Sequence, residues 1–290
     1  MDLKTSLAAS VLVVKPEGRE FWMFTDATHV PYYRRNNGEG YSADLVLQRC
    51  RDGGTFIDIG AHHGYFSLFV ATQRRQCAVM AFEPGPANYQ VLRMNLRLNN
   101  ALKVKAFDSA VSDQDEIKNF SLRDFSSHGS FYDDHISTVL DTVKVKAVSL
   151  DNMLKTTPGA PTVIKIDTEG HELRVLKGMA KLLTTSEEVA VLMEFNPIIM
   201  RKANQRPLEL LFLIASFGFD VYFVDDERRQ TCRIEEDRFN HWEEFIDRGN
   251  FQRGYFNILC LKKPEPSTSQ SVIADYGEAA PEASPAVDIL

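Results

Sequence analysis

A short strand that runs into a glycine-rich turn constrains the fold of this chain more than any other feature: Thr55-Phe-Ile-Asp-Ile-Gly-Ala-His-His-Gly-Tyr-Phe-Ser67. Residues 55–59 are mostly apolar and rich in β-branched side chains, as in a buried parallel strand. After His63 the apolar residues recur at helical spacing, which predicts a helix. Gly60 and Gly64 therefore lie in a strand-to-helix turn, where the absent Cβ lets the backbone approach a ligand closely.

A second apolar strand, Val79–Phe82, delivers the carboxylate of Glu83 about 25 residues after Asp58. In doubly wound folds, a carboxylate at the tip of the second strand binds ribose hydroxyls. Together with the glycine turn, it favours a nucleoside-binding site over a purely structural turn. The G-x-x-x-G spacing differs from the G-x-G-x-x-G of dinucleotide enzymes, which disfavours NAD and leaves S-adenosylmethionine as the better ligand.

Charge and cysteine usage restrict the partners and the compartment. The 290 residues carry a formal net charge of −7, which argues against nucleic acid as the main partner. The cysteines are far apart and show no metal-ligand spacing, so we expect reduced, buried thiols in a cytoplasmic protein: Cys50, Cys77, Cys232 and Cys260. No signal peptide is expected, and the most apolar run, 208–219, is too short to span a bilayer. We therefore expect a soluble protein that binds no membrane.

The chain is predicted to divide into three regions. Residues 1–50 form an N-terminal cap with a hairpin (10–14 and 21–24) and a helix (41–50). Residues 51–263 alternate strands and helices, the pattern of a parallel α/β sheet, with an unassigned charged insertion at 225–254. Residues 264–290 are rich in Pro, Ser, Ala and Glu, and we predict a disordered tail.

Further elements follow from the periodicity of the main region. An antiparallel strand pair, 116–122 and 142–148, is predicted around a polar stretch at 123–141 that is either a loop over a site or disordered. The other predicted elements are strands at 104–107, 162–167, 189–195, 219–224 and 255–261 and helices at 86–98 and 207–217, with another helix starting near residue 171.

The second chemical landmark is the segment Val163–Met179. Its apolar strand delivers Asp167, Glu169 and His171 within five residues, and Gly170 allows a tight turn between them. Each polar residue alone has a structural explanation, such as a helix cap or a contact with the helix dipole. Three titratable groups at one strand tip favour an active site, because ligands of doubly wound folds bind outside the carboxyl ends of the strands.

These groups suit a reaction in which an acceptor must lose a proton. His171 is the first candidate for the general base, since its ordinary pKa lies nearest the working pH and a neighbouring carboxylate would raise it. Glu169 and Asp167 are alternatives for the same role. The two carboxylates could instead hold a divalent cation, but one segment supplies few ligands, and we predict no metal.

Five segments carry a family resemblance: Asp58–Ser67, Phe82–Asn88, Ala110–Asp113, Ile164–His171 and Met193–Pro197. They occur in order over about residues 40–200, and they resemble the FkbM family of S-adenosylmethionine-dependent methyltransferases. The resemblance implies a class I methyltransferase (Rossmann-like) α/β fold: a seven-stranded sheet with helices on both faces and an antiparallel last strand. The methyltransferase domain would then be residues 51–263.

The resemblance also implies S-adenosylmethionine as the methyl donor and, as the acceptor, a hydroxyl of a sugar, polyketide or other small natural product. The cofactor contacts that it implies are Asp58, Gly60, His62, Gly64, Tyr65, Glu83, Pro84, Asn88, Ser109, Ala110 and Asp167. One departure is His62, where the family commonly has asparagine. Two alternatives stay open: N-methylation of an amine or nucleobase, and a nucleoside-binding module that has lost catalysis.

Overall fold

A computed structural model of the chain describes residues 10–14, 20–26, 29–30, 33, 40–132, 138–154, 162–239 and 255–262. The strands are β1 (Ser10–Val14), β2 (Phe21–Thr25), β3 (Thr55–Ile59), β4 (Ala78–Phe82), β5 (Lys105–Phe107), β6 (Ser109–Val111), β7 (Glu116–Arg123), β8 (Val139–Val148), β9 (Thr162–Ile166), β10 (Val189–Phe195), β11 (Phe219–Asp225), β12 (Gln230–Ile234) and β13 (Phe256–Lys262). The α-helices are α1 (Gly40–Arg49), α2 (Tyr65–Gln73), α3 (Pro86–Leu98), α4 (Leu150–Met153), α5 (Glu172–Lys177), α6 (Ala180–Thr185), α7 (Pro197–Lys202) and α8 (Pro207–Ser216). Most of the predicted elements are confirmed, with boundaries that differ by one to a few residues.

The central sheet has eight strands in the order β12-β11-β13-β10-β9-β3-β4-β5. The five strands from β10 to β5 are parallel, and β13 runs antiparallel to both of its neighbours. The predicted class I methyltransferase fold with its antiparallel last strand is confirmed, but the predicted strand count of seven is wrong. The eighth strand is β12, which pairs with β11 and lies inside the insertion that the sequence left unassigned.

Helices cover both faces of this sheet, and each face has its own apolar core. One core joins α1, α2 and α3 to residues such as Phe56 and Val163. The other joins α5 to α8 to residues such as Ile57, Ile164 and Ile166. Because both faces are buried, the central strands consist of nearly continuous apolar residues, which is why the sequence shows them clearly.

A smaller three-stranded sheet, β6-β8-β7, lies beside the central one. The predicted antiparallel pair is confirmed as β7 and β8. Strand β6 pairs in parallel with β8 and was not predicted, because its three residues are too few to show a period. The segment at 126–128 in the predicted polar loop forms a short 3-10 turn, and residues 133–137 lie outside the described part.

The helix predicted after β9 is divided into α5 and α6 at Gly178. A Cβ on Gly178 would lie 1.9 Å from the carbonyl oxygen of Ser112, so the chain passes too close there for any other residue. Helix α7 was also missed. The structure shows no disulfide between the cysteines, and Cys50, Cys77 and Cys260 are buried as predicted. The prediction is wrong for Cys232, which is exposed on edge strand β12.

The N-terminal hairpin is confirmed as β1 and β2, and Asn95 of α3 and Asn99, which caps the end of this helix, attach it to the main domain. The Asn95 side chain accepts a hydrogen bond from Phe24 N (2.6 Å) and donates to Phe24 O (3.0 Å) and His63 O (2.8 Å). The Asn99 side chain accepts a hydrogen bond from Trp22 N (2.8 Å) and donates one to Trp22 O (2.6 Å). The two asparagine side chains thus provide hydrogen-bond partners for backbone N–H and C=O groups on the edge of β2 that faces α3, where a further strand would normally pair.

Two other expectations concern membranes and the end of the chain. Within the residues given above, every helix is too short or too polar to cross a membrane. The predicted disordered tail, 264–290, lies outside the described residues, as does 240–254 of the insertion.

Candidate active site

The carboxyl ends of β3, β4, β9 and β10 surround a cavity of about 410 Å³. This is the edge at which parallel α/β sheets bind ligands. Ten of the predicted site residues line it: Gly60, His62, Tyr65, Glu83, Pro84, Asn88, Ala110, Asp167, Glu169 and His171. Asp58, Gly64 and Ser109 lie outside the lining. The glycine-rich turn after β3 and the polar segment after β9, about 100 residues apart in the sequence, therefore meet at one cavity.

Gly60 and Gly64 have different tasks in the turn after β3. Gly60 adopts a φ of +77°, and a Cβ there would lie 1.8 Å from the carbonyl oxygen of Asp167. Gly60 therefore lets the tips of β3 and β9 touch. Gly64 has a φ of +91°, and a Cβ there would lie 2.5 Å from Leu92. Gly64 thus permits α2 to pack on α3 and does not face the cavity.

Asp58 is fully buried beneath the turn. Its Oδ2 accepts hydrogen bonds from Ser67 N (3.0 Å) and Ser67 Oγ (2.6 Å), so it anchors the first turn of α2. Its Oδ1 has no hydrogen-bond partner among the described residues, a costly state for a buried carboxylate. Burial raises the pKa of Asp58, an effect that the positive charge of Lys165 opposes.

Glu83 is held at the tip of β4 with only 5% of its surface exposed. Its Oε2 accepts a hydrogen bond from His62 N (2.8 Å), and its Oε1 accepts from Gly85 N (2.8 Å) and Asn88 Nδ2 (3.4 Å). Burial raises the pKa of Glu83 to about 7, although these donors favour the charged form. A carboxylate offers about four lone-pair sites, so Glu83 retains the capacity to accept a hydrogen bond from a ligand in the cavity.

Histidines form one wall of the cavity. His62 adopts a φ of +48°, and its ring stacks on that of His63 with centroids 3.7 Å apart. The His29 ring lies 4.8 Å from that of His62. Burial lowers the pKa of His62 and lowers that of His63 to about 4. His63 Nδ1 is hydrogen bonded to Thr25 Oγ1 at 3.1 Å, which links this wall to the N-terminal region.

The N-terminal region supplies two cavity residues that sequence reasoning missed, His29 and Tyr33. The Tyr33 ring stacks on Tyr65 with centroids 5.5 Å apart. The region was predicted as a cap, but its described residues beyond β2 show no periodicity that would place individual side chains. Aromatic and histidine residues in such a segment were the only signal.

A lysine and three carboxylates surround the tip of β9. Lys165 donates to Asp167 Oδ2 at 3.0 Å and to Gly60 O at 3.2 Å. Asp167, Glu169 and Glu194 each place a carboxylate oxygen within 4.8 Å of the others. Sequence reasoning missed the roles of Lys165 and Glu194, since the sequence does not reveal which way a strand side chain points. This carboxylate group could gather a cation, as could the group of Asp26, His29 and His62.

The loop after β9 is held by Glu172, another residue that the sequence analysis left without a role. Its Oε1 accepts hydrogen bonds from Thr168 N (3.0 Å), Thr168 Oγ1 (3.0 Å) and Gly170 N (3.2 Å). Glu169 has a φ of +52° and Gly170 one of +94°, so the loop adopts a conformation that side chains resist. Glu172, only 1% exposed, thereby holds the backbone on both sides of Glu169.

His171 lines the cavity, but both of its ring nitrogens are engaged. A hydrogen bond joins Nε2 to Ser112 Oγ (3.0 Å), and another joins Nδ1 to Tyr132 OH (3.1 Å). Burial, together with the positive charges of Lys118 and Arg174, lowers the pKa of His171 to about 3. The carboxylate of Asp113 does act to raise this pKa, as expected, but burial outweighs it, so the predicted net rise is wrong. The desolvated ring stays neutral at physiological pH.

The outer wall comes from the smaller sheet and its loop. Phe120 of β7 and residues 127–129 and 131 face the tip of β9 across the cavity. Part of the polar stretch at 123–141 is therefore a loop over the site. Asn196 also lines the cavity, but its Oδ1 accepts a hydrogen bond from Ile199 N at 3.2 Å and caps α7.

The comparisons with known proteins agree on one class. The sequence profile of the methyltransferase FkbM domain matches residues 58–252. The chain is 24% identical over 200 residues to the hexuronic acid methyltransferase AglP of Haloferax volcanii, a match that covers 65% of this chain and 77% of AglP. It is 22% identical over 161 residues to methyltransferase 1 of Beauveria bassiana, covering 47% of this chain and 65% of that one.

Among solved structures, the chain is similar to a methyltransferase FkbM from Methylobacillus flagellatus. The TM-score is 0.45 at 15% identity, and the match covers 73% of this chain and 44% of that chain.

Proposed function

The chain belongs to the FkbM family of methyltransferases, whose cofactor is S-adenosylmethionine, and we propose that it transfers the methyl group to a hydroxyl of a small molecule. The observation that carries this proposal is the cavity in which Glu83 and the carboxylates after β9 face one another. One side of the cavity suits a nucleoside and the other suits a polar acceptor.

The residues around the first motif fit the cofactor. Glu83 has lone-pair capacity left for ribose hydroxyls, and buried Asp58 Oδ1 lacks a partner among the described residues. We propose that the predicted contacts His62, Tyr65, Pro84, Asn88 and Ala110 bind the rest of the cofactor, since all of them line the cavity. When bound, S-adenosylmethionine supplies an electrophilic methyl group on a sulfonium.

The acceptor side is negatively charged, which selects the chemistry of the acceptor. Hydroxyl groups of an acceptor can donate hydrogen bonds to the carboxylates of Asp167, Glu169 and Glu194. Polyols and sugars offer several such hydroxyls. The relative AglP, a hexuronic acid methyltransferase, supports a carbohydrate acceptor. N-methylation lacks comparable support, because Asn196 Oδ1 already caps α7.

We assign the proton transfer to Glu169. It lines the cavity, and its loop is fixed by Glu172. Asp167 is positioned by its ion pair with Lys165 and orients the acceptor. His171 is a poor proton acceptor, because burial lowers its pKa and both ring nitrogens are hydrogen bonded. Holding acceptor and methyl group in near-attack geometry supplies most of the rate in such a displacement.

The experiment is an incubation with methyl-tritiated S-adenosylmethionine and a panel of neutral sugars, hexuronic acids and polyhydroxylated polyketides. The expected product is a methyl ether, whose label survives mild alkali, whereas a methyl ester would release labelled methanol. Label recovered only in esters or amines contradicts the hydroxyl assignment. Tight binding of S-adenosylhomocysteine with no turnover on any extract or acceptor would point to an inactive binding module.

A further inference from the structure

A second cavity, the basic groove, lies between helix α3 and strand β8 and has a volume of about 650 Å³. The residues that define it are Tyr89, Arg93, Arg97, Asp108, Lys144 and Lys146. Four of these side chains are cationic and one is anionic. The groove therefore carries a local charge opposite in sign to that of the chain, whose formal net charge is −7.

The secondary structure arranges the four cations as two facing pairs. Arg93 and Arg97 are one turn apart on α3, which places their Cβ atoms about 5–6 Å apart on one helix face. Lys144 and Lys146 are alternate residues of β8, so they project from the same face about 7 Å apart. The Arg93 guanidinium also lies 5.9 Å from the centre of the Tyr89 ring, a contact that orients it.

None of these four cations forms an ion pair with any residue in the described ranges. Other exposed cations of the chain do form ion pairs: Arg174 pairs with Asp113 at 2.9 Å, and Arg233 pairs with Asp220 at 2.9 Å. Four neighbouring positive charges repel one another, and a concave wall concentrates their field. An anion bound in the groove would relieve this repulsion.

We propose that the basic groove binds the diphosphate group of a soluble ligand. Guanidinium groups bind phosphate oxygens through two parallel hydrogen bonds, and lysines add point charges. The net charge of the six residues is about +3, which is opposite in sign to the charge of a diphosphate group. The groove shares only Pro84 with the lining of the first cavity, so its ligand lies beside the cofactor site and outside it. This proposal does not depend on the proposed methyl transfer.

The test is calorimetric titration of the full chain with inorganic pyrophosphate. Saturable binding is expected at about 0.1 M salt, and it should weaken at least tenfold at about 1 M salt, where the Debye length falls from about 10 Å to about 3 Å. Pyrophosphate should leave the affinity for S-adenosylhomocysteine unchanged. Competition between the two ligands would place pyrophosphate in the cofactor cavity and overturn the proposal.

Variants localise the binding. The double change Arg93→Glu and Lys146→Glu should weaken pyrophosphate binding at least tenfold, since it reverses one charge on each wall. A matched control, Arg75→Glu with Lys181→Glu, makes the same change in total charge at exposed positions outside the groove and should bind normally. Equal loss in both double variants would show a general charge effect and contradict the proposal. Groove-dependent binding of a DNA dodecamer without binding of pyrophosphate would also contradict it.

Discussion

At the scale of single residues, Glu83 couples the proposed cofactor binding to pH. Its pKa in the folded protein, about 7, lies above the ordinary 4.5 because of burial. The charged form accepts the ribose hydroxyls, so affinity for S-adenosylhomocysteine should be highest above pH 7. It should fall by up to about tenfold per pH unit below that, because binding then requires the loss of one proton. Calorimetry from about pH 5.5 to about pH 8.5 measures this slope.

Glu83→Gln separates this effect from the other titrating groups of the cavity. Its affinity should be lower at pH 8 by about 1.5–3 kcal/mol, the contribution of charge-assisted hydrogen bonds, and should change much less with pH. The cavity histidines are unchanged in this variant and serve as the internal control. A variant with the wild-type slope would show that another group of the cavity controls the pH dependence of binding.

The second prediction at this scale distinguishes Glu169 from His171. Glu169→Gln should reduce turnover by roughly 10²–10⁴-fold, the usual contribution of a general base, with cofactor affinity unchanged. His171→Asn should instead lower the free energy of unfolding, because the Ser112 and Tyr132 hydroxyls lose a buried partner. Its turnover should fall less than that of Glu169→Gln, and its pH profile should keep the wild-type shape.

Two outcomes would contradict the assignment of Glu169 as the general base. Wild-type turnover in Glu169→Gln, together with a lost acidic limb in His171→Asn, would return the role of base to the histidine. A chelator that abolishes activity would instead assign Asp167, Glu169 and Glu194 to a cation.

At the scale of elements, helix α3 is predicted to hold the N-terminal hairpin through its asparagines. Asn95→Ala removes three hydrogen bonds and leaves buried backbone groups of Phe24 and His63 without this partner. Each unsatisfied group costs about 1–3 kcal/mol, so we expect a loss of about 2–4 kcal/mol in the free energy of unfolding. Denaturant titration measures it.

Two comparisons give this prediction its control. Asn99→Ala should cost less, because its bonds to Trp22 are exposed to water. Gln90→Ala, on the exposed face of the same helix, should be nearly neutral. A loss of similar size in Asn95→Ala and Gln90→Ala would contradict the prediction, because alanine has the higher helix propensity and the loss would then not depend on the attachment of β2.

The hydrophobic pattern predicted central strands that are buried on both faces and helices that are long enough to show a period. The predicted range 189–195 is that of β10, and 86–98 is that of α3. The three-residue strand β6 and the six-residue helix α7 are too short to show a period. The need for glycine at position 178 depends on the distant carbonyl of Ser112, which no local pattern encodes.

At the scale of the whole molecule, the domain division stays a prediction with a direct test. Deleting the residues after Lys263 should leave the melting temperature nearly unchanged, because the segment has little apolar surface to bury. A drop of several degrees would show that the tail packs on the folded domain. Differential scanning calorimetry of both chains, with and without S-adenosylhomocysteine, makes the comparison.

Much of the candidate site follows from the sequence, because strand tips of a parallel sheet converge wherever the strands are in order. This rule alone predicts that Glu83 and Asp167 lie close together, and both line the cavity. It does not account for His29 and Tyr33, which come from an aperiodic segment, or for Glu194, because the sequence does not show which way this strand residue points. It also does not predict that His171 is buried in contact with Ser112 and Tyr132, or that burial lowers its pKa.

The attachment of β2 has a consequence for synthesis on the ribosome. The asparagines that satisfy its edge lie 71 and 77 residues further along the chain. At about 5–20 residues per second, β2 is completed about 4–14 s before Asn95 is translated. During that interval the edge that will face α3 has only water, or a chaperone, as its partner. The nascent chain therefore carries an open strand edge until α3 has formed.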